Sequence, residues 1–308
     1  MLNEMTIQQE PRRLAPTGSI PLEMERALLT LEKLSKANKR AYLKGSPNNL
    51  PYFVYRYEGH EISEKFLSDY LVDSYFWLNS VAEFNDPFDM SADVTFSDDV
   101  VKKREKYKAM IKTHMPLANW KKKREKLNEL MRTPNQSLTV SAAYEKSIRD
   151  MGAICFANES RNLLMWSHYA DHHRGFALQF HIVNDVRTMS RLSRVTYSNT
   201  YPALDWVDYH PEQLEEVFFT KHEGWKYEEE FRILIVDGAK TYLRFQPQAI
   251  TGLIFGCRAD LQLKQKVLSI LDIRASKRLS PLKIYKAVKH PREYRVTIQK
   301  DLSLRWPK

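Results

Sequence analysis

GAICFANESRNLLMWSHYADHHRGFALQFHI, residues 152–182, sets two apolar runs of strand length around a segment with helical spacing. GAICFA (152–157) and GFALQFHI (175–182) are short and apolar, as buried strands are. Between them NLLMWSHYADHH (162–173) keeps the helix period and stops at Gly175. Upstream, YFVYRYEGH (52–60) alternates aromatic and charged residues like a strand, a short helix follows around Ser63–Tyr70, and SYFWLNS (74–80) is a second strand. Downstream, RVTYS (194–198), EEFRILIV (229–236), TYLRF (241–245) and ITGLIFG (250–256) are strand-like, whereas residues 199–216 have loop character. ADLQLKQKVLSILD (259–272) is a helix, and LKIYKAV and EYRVTIQ (282–299) close as a hairpin around HPRE. Strands and helices mix without a βαβ beat, which predicts an α+β fold of mixed or antiparallel sheets with flanking helices.

Residues 1–20 carry Pro11, Pro16 and Gly18 and form a tail. From Pro21 to about Arg40 leucines recur near helical spacing, and GSPNNLP (45–51) breaks the chain as a linker. Residues 1–50 are thus expected as tail and amphipathic helix, and 51–308 as one α+β domain with a helical insertion at about 98–150. The insertion holds KKREKYK (102–108) and WKKKREK (120–126), separated by Pro116. It is either a salt-bridged, solvated helix pair or a nucleic-acid face.

Lys and Arg number 48 against 38 Asp and Glu among 308 residues, a net charge of +10 that leans toward polyanionic partners. Hydrophobic residues at 43% suffice for a core, which excludes disorder of the whole chain. No run nears the roughly 20 apolar residues of a membrane span, and the first residues lack a signal peptide's apolar core. A cytoplasmic protein with no membrane partner is expected. Cys155 and Cys257 sit in apolar runs as ordinary thiols. Walker, Rossmann and G-x-S-x-G signatures are absent, and 9 glycines are few for backbone phosphate cradles.

Four places concentrate polar chemistry. On a strand through Glu228–Val236, Glu228, Glu230 and Arg232 share one face and Phe231, Ile233 and Ile235 the other. Two carboxylates so placed need a cation or polar ligand between them; Arg232 is one candidate, and Trp225 and Tyr227 would add a flat apolar wall. The alternative is an exposed strand face with one salt bridge. On the helix, Trp166 and Tyr169 form an aromatic ridge with Ser167 to one side. His168 and His172 have metal-ligand spacing but no third ligand, so no metal is expected. In FNDPFD (84–89), Asn85-Asp86-Pro87 is a turn, with Phe84 and Phe88 pinning it to the core; Asp86 and Asp89 serve either that turn or a metal or ribose. In YRY, Tyr55 and Tyr57 share a face opposite Arg56, which suits a phosphate or pairs with Glu58 or Glu228.

Taken together, YRY (55–57), FWLNSVAEFNDPFD (76–89), ICFA with LLMWSHYADHHRGFALQF (154–180) and KHEGWKYEEEFRI (221–233) resemble a bacterial family of domains of unknown function often met near phage-defence genes. The similarity spans roughly Tyr52 to Gly256. The order of elements also resembles the ADP-ribosyltransferase fold, with Arg56, then Ser167 and Tyr169, then Glu228-x-Glu230 in the places of its three NAD signatures. The usual Ser-Thr-Ser run is missing from the second signature. This resemblance implies an NAD-consuming mono-ADP-ribosyltransferase, a toxin or phage-defence effector acting on nucleic acid or a ribonucleoprotein, with an antitoxin or chaperone as a possible partner. It implies that Arg56, Tyr57, Trp166, Ser167 and Tyr169 hold NAD. Glu230 would stabilise the ribose cation and Glu228 serve the acceptor. The alternatives are a metal-dependent nuclease using Asp86, Asp89, Glu228 and Glu230, and a non-catalytic nucleic-acid or protein-binding module.

Overall fold

The computed structural model describes residues 13–14, 30–45, 49–132, 148–208 and 211–304. Apart from Arg13–Leu14, which pair as a strand with Tyr242–Leu243, the predicted tail lies outside them, as does the first half of the predicted leading helix. In chain order the strands begin with β1 (Arg13–Leu14), β2 (Phe53–Glu58), β3 (Tyr75–Ser80), β4 (Asp93–Thr95) and β5 (Gly152–Ala157). β6 (Phe176–His181), β7 (Ser193–Arg194), β8 (Thr196–Ser198), β9 (Ala203–Asp205) and β10 (Thr220–His222) follow. β11 (Glu230–Ile235), β12 (Thr241–Arg244), β13 (Ile250–Phe255), β14 (Lys283–Lys289) and β15 (Val296–Lys300) complete the set. The helices are α1 (Lys36–Lys44), α2 (Glu64–Ser68), α3 (Val100–His114) and α4 (Trp120–Arg132). After them come α5 (Leu163–His168), α6 (Val186–Met189), α7 (Pro211–Phe218) and α8 (Leu261–Ser276). The fold is a mixed α+β one.

The chain forms two compact units: Met1–Glu83 with Asp150–Val195 and Gly224–Lys308, and Phe84–Arg149 with Thr196–Glu223. In the first, one sheet runs β1-β12-β3-β5-β2-β6-β13-β14-β15, with β11 on β5 and β7 on β11. β5 is the branch point. Its whole length pairs with β11, while β3 meets only Gly152 and Ala153, and β2 only Ala157. Between those contacts β5 has a gap in its ladder, and Arg56 fills it by donating to the Cys155 carbonyl at 3.2 Å.

Most pairings are antiparallel, but β13 and β14 run parallel and are joined through α8, one βαβ unit where none was expected. Asp260 caps α8 through the Leu263 amide, and Leu263, Val267 and Leu271 bury the helix against the sheet. At the centre Phe76 stacks on Phe245 at 4.2 Å and meets Phe156 and Phe180 edge-on or tilted at 5.5 and 5.3 Å. Arg274 is buried without a carboxylate and donates to the carbonyls of Leu71, Pro247 and Ser280. Burial pulls its pKa down to about 10, so it stays charged at neutral pH.

The second unit contains the basic helices as a hairpin, with Tyr107 and Ile111 of α3 packed on Leu127 of α4. The predicted loop 199–216 holds β9 and the start of α7 instead. Leu214, Val217 and Phe218 of α7 pack on Leu204. PEQLEEVF carries Pro at its first position and one acid directly after it in the sequence, signals that mark a helix start.

Gly175 opens β6 where a Cβ would lie 2.0 Å from the Glu58 carbonyl oxygen. No side chain fits there. Gly175→Ala is therefore expected to cost about 1–3 kcal/mol, as overpacking does. Urea unfolding should show a lower midpoint with an unchanged slope.

Candidate functional site

The loop Asn158–Asn162, between β5 and α5, organises the site. Asn162 caps α5 through the amides of Leu164 and Met165, and its Nδ2 donates to the Tyr227 carbonyl at 2.5 Å. Asn158 takes the Glu229 carbonyl through its amide and the Glu229 carboxylate through its side chain. The carbonyls of Glu159 and Ser160 accept from Tyr57 Oη at 2.7 Å and Trp166 Nε1 at 2.8 Å. Tyr57 and Trp166 meet edge-to-face at 5.1 Å. Trp166 is wholly buried, so it forms the floor beneath the site and offers no face to a ligand. Burial raises the Tyr57 phenol well above its ordinary range, which keeps it a donor.

Glu228 and Glu230 are both buried yet differently held. Residues 223–228 form a 3-10 segment, Glu229 takes a left-handed φ of 43°, and β11 begins only at Glu230. The two acids are therefore not successive positions on one strand face, as the sequence predicts. Glu230 receives a two-point fork from Arg232, Nε to Oε1 at 2.6 Å and Nη2 to Oε2 at 3.1 Å. Beside it, burial and then the Glu230 charge push the Cys155 thiol up, so it is no ready nucleophile. Glu228 receives the Tyr169 hydroxyl at 2.5 Å, from a residue 59 positions away. Tyr227, Trp225 and His168 gather nearby, with the Tyr227 ring 6.0 Å from Trp225 and 6.1 Å from His168. Of these, His168 is exposed and the other two half-buried.

Arg56 adjoins this group at Cys155, whose carbonyl accepts from its guanidinium at 3.2 Å. Alternation along β2 turns it to the face opposite Tyr57, and its Nε donates to Glu58 at 2.9 Å. Glu58 also accepts from Tyr70 at 3.0 Å. Ser167 contacts His173 Nε2 at 3.3 Å. The helix ends at His168 rather than near Gly175, because Asp171, His172 and His173 all adopt left-handed φ (45°, 53° and 67°). That turn dissolves the i, i+4 relation of His168 and His172. Among the described residues no three His, Cys, Asp or Glu side chains gather as metal ligands would.

In the second unit, Asp86 closes its turn by accepting from the Phe88 amide at 2.9 Å, and the buried Asp89 lies 3.7 Å from the buried ammonium of Lys221. Phe88 does not pin the loop to the core; it is 63% exposed. With Tyr201, Asn199, Thr200 and Lys221 it lines a cavity of about 350 Å³. Nothing in the sequence pattern marks that cavity, since its walls come from segments about 110 residues apart in a stretch with loop character.

Residues 165–233 match the family described as protein of unknown function DUF2971. The matched span starts at the α5 aromatic segment and ends within β11, so it includes Tyr169, Glu228, Glu230 and Arg232. Neither the curated proteins nor the solved structures contain a match to the chain. Among the described residues no helix is long and apolar enough to cross a membrane.

Removing one partner of a buried ion pair strands the other charge, at a cost of about 3–5 kcal/mol. Glu230→Gln and Arg232→Met are thus expected to destabilise the fold strongly, while the double change Glu230→Leu with Arg232→Met recovers most of the loss in chemical denaturation. A pH effect is also expected. Burial first, then Lys289 and Arg258, hold His173 below the ordinary histidine range, and burial does the same for His181. As pH falls through about 6.5 the unfolded chain takes up these protons first, so stability should drop. Unfolding free energies measured between pH 7 and 5 should show that slope, and His173→Gln with His181→Gln should flatten it.

Proposed function

We propose that the first unit is an NAD-consuming mono-ADP-ribosyltransferase whose working carboxylate is Glu228. The observation that carries this reading is the 2.5 Å hydrogen bond from Tyr169 to Glu228 beside the partly open rings of Tyr227, Trp225 and His168. The two oxygens of a carboxylate offer several lone pairs, so the bond from Tyr169 is compatible with a further one from a ribose hydroxyl. Its negative charge then stabilises the positive charge that grows on the ribose as the bond from C1′ to nicotinamide breaks and nicotinamide leaves with the electron pair. Tyr169 positions Glu228 so that little reorganisation accompanies that step. The rings supply flat surfaces for nicotinamide or adenine.

The roles drawn from sequence are thereby exchanged. Glu230, neutralised by Arg232, maintains β11, and Trp166 and Tyr57 support the floor. A nuclease built on Asp86, Asp89, Glu228 and Glu230 has, among the described residues, no cluster of metal ligands in its favour.

Release of labelled nicotinamide from NAD, with whole-cell extract as the source of acceptor, tests this directly. Wild type should release it. Glu228→Gln keeps volume and the Tyr169 hydrogen bond, and should lower the rate about 100-fold or more with an unchanged melting temperature. Tyr169→Phe should lose about 10-fold or more in kcat, the worth of a hydrogen bond to a charged group. Full activity in Glu228→Gln, or no release by wild type with any extract, would sink the assignment.

A further inference from the structure

The α3–α4 hairpin ends in a surface that its own packing leaves uncovered. Trp120 stands one heptad before Leu127, on the same helix face, yet past the point where α3 can cover it. It is 72% exposed, and Leu117 in the connecting turn is 98% exposed. Asn119 holds the turn by accepting from the Lys122 amide at 2.9 Å, so Trp120 is presented on an ordered helix start.

Residues 100–132 contain twelve Lys and Arg against three Glu. Some of these cations are spent along the hairpin: Lys108 on Glu105 and Lys126 on Glu129. Lys112, Lys121, Lys122 and Arg124, all within two turns of the tip, have no ion pair among the described residues. Holding so many like charges together is unfavourable unless an anion is to be met.

We infer that this tip binds a single-stranded polynucleotide, with Trp120 stacked on an unpaired base and Lys112, Lys121, Lys122 and Arg124 against the backbone phosphates. An exposed aromatic ring flanked by unpaired cations is the arrangement that such strands require. An anionic membrane fits less well. A helix lying in a lipid surface buries a whole apolar face, and that face of α4, with Leu127, Leu130 and Met131, is spent inside the hairpin. Binding here is independent of NAD and of Glu228, so it stands or falls without the catalytic proposal.

Fluorescence anisotropy with labelled 20-nucleotide single-stranded RNA and DNA, the corresponding duplexes, and phosphatidylserine vesicles as competitor tests the inference. Full-length protein without NAD should bind the single strands more tightly than the duplexes. About four phosphate contacts should give a log–log salt slope near −3. Trp120→Ala should weaken single-strand binding about fivefold or more. K121Q/K122Q/R124Q should reduce the slope by about 2. All these positions are surface ones, and an unchanged melting temperature will confirm that the fold is kept. Equal affinity of Trp120→Ala and wild type, a slope untouched by the triple change, or capture by vesicles in place of oligonucleotides would overturn it.

Discussion

Arg232 has no exposed surface, and its charge is compensated by the fork it makes to Glu230 on its own strand. That pair constrains the first unit. A guanidinium taken out of water is tolerated only with its hydrogen bonds made, and two residues on one strand can make them only while the strand stays extended. β11 is so held along all of β5, from Glu230 opposite Ala157 to Ile235 opposite Gly152. The other face of the same strand carries Phe231, Ile233 and Ile235 into the main core. β5 then distributes the order: β3 and β2 attach at its two ends, and Arg56 closes the gap between them.

Because Glu230 is consumed in this way, the left-handed step at Glu229 has a consequence for chemistry. It delays the start of β11 to Glu230, two residues after Glu228, and turns the Glu228 carboxylate toward Tyr169, while the Glu229 side chain is anchored by Asn158. A non-glycine residue at φ 43° costs about 1 kcal/mol or more, and the Asn158 and Asn162 contacts to this turn offset it. Two acids two residues apart thereby acquire different environments. The family match over residues 165–233 starts at the segment that supplies Tyr169 and ends on the strand that carries Arg232. It carries no activity with it.

Much of the first unit was legible in the sequence because its strands are apolar runs whose period is local. GAICFA, GFALQFHI and ITGLIFG fall within a residue or two of β5, β6 and β13. The pairing of Arg232 with a neighbouring acid, and of Arg56 with Glu58, follows from two-residue alternation and was also accessible. What the pattern did not carry was backbone handedness. Neither Glu229 nor the run Asp171-His172-His173 contains glycine, so nothing local announces a left-handed turn; tertiary contacts impose it. His173 is one example, its carbonyl accepting from the Arg258 amide and its backbone pressing so near Gly256 that a Cβ there would lie 2.1 Å away. The helix α7 was lost for a different reason. Its apolar stripe is three residues long and packs in a small cluster with Leu204 of β9, Val94 of β4, Ala92 and Ile148.

The central claim is that Tyr169 and Glu228, rather than Glu230, face the ligand, and that the ligand is NAD. Hydrogen–deuterium exchange of the full chain with and without saturating NAD tests it most directly. The account predicts slower exchange in residues 163–170 and 223–229 on adding NAD, with β11 amides beyond Arg232 already slow and unchanged. Protection confined to other segments, or no protection at any NAD concentration, would contradict it.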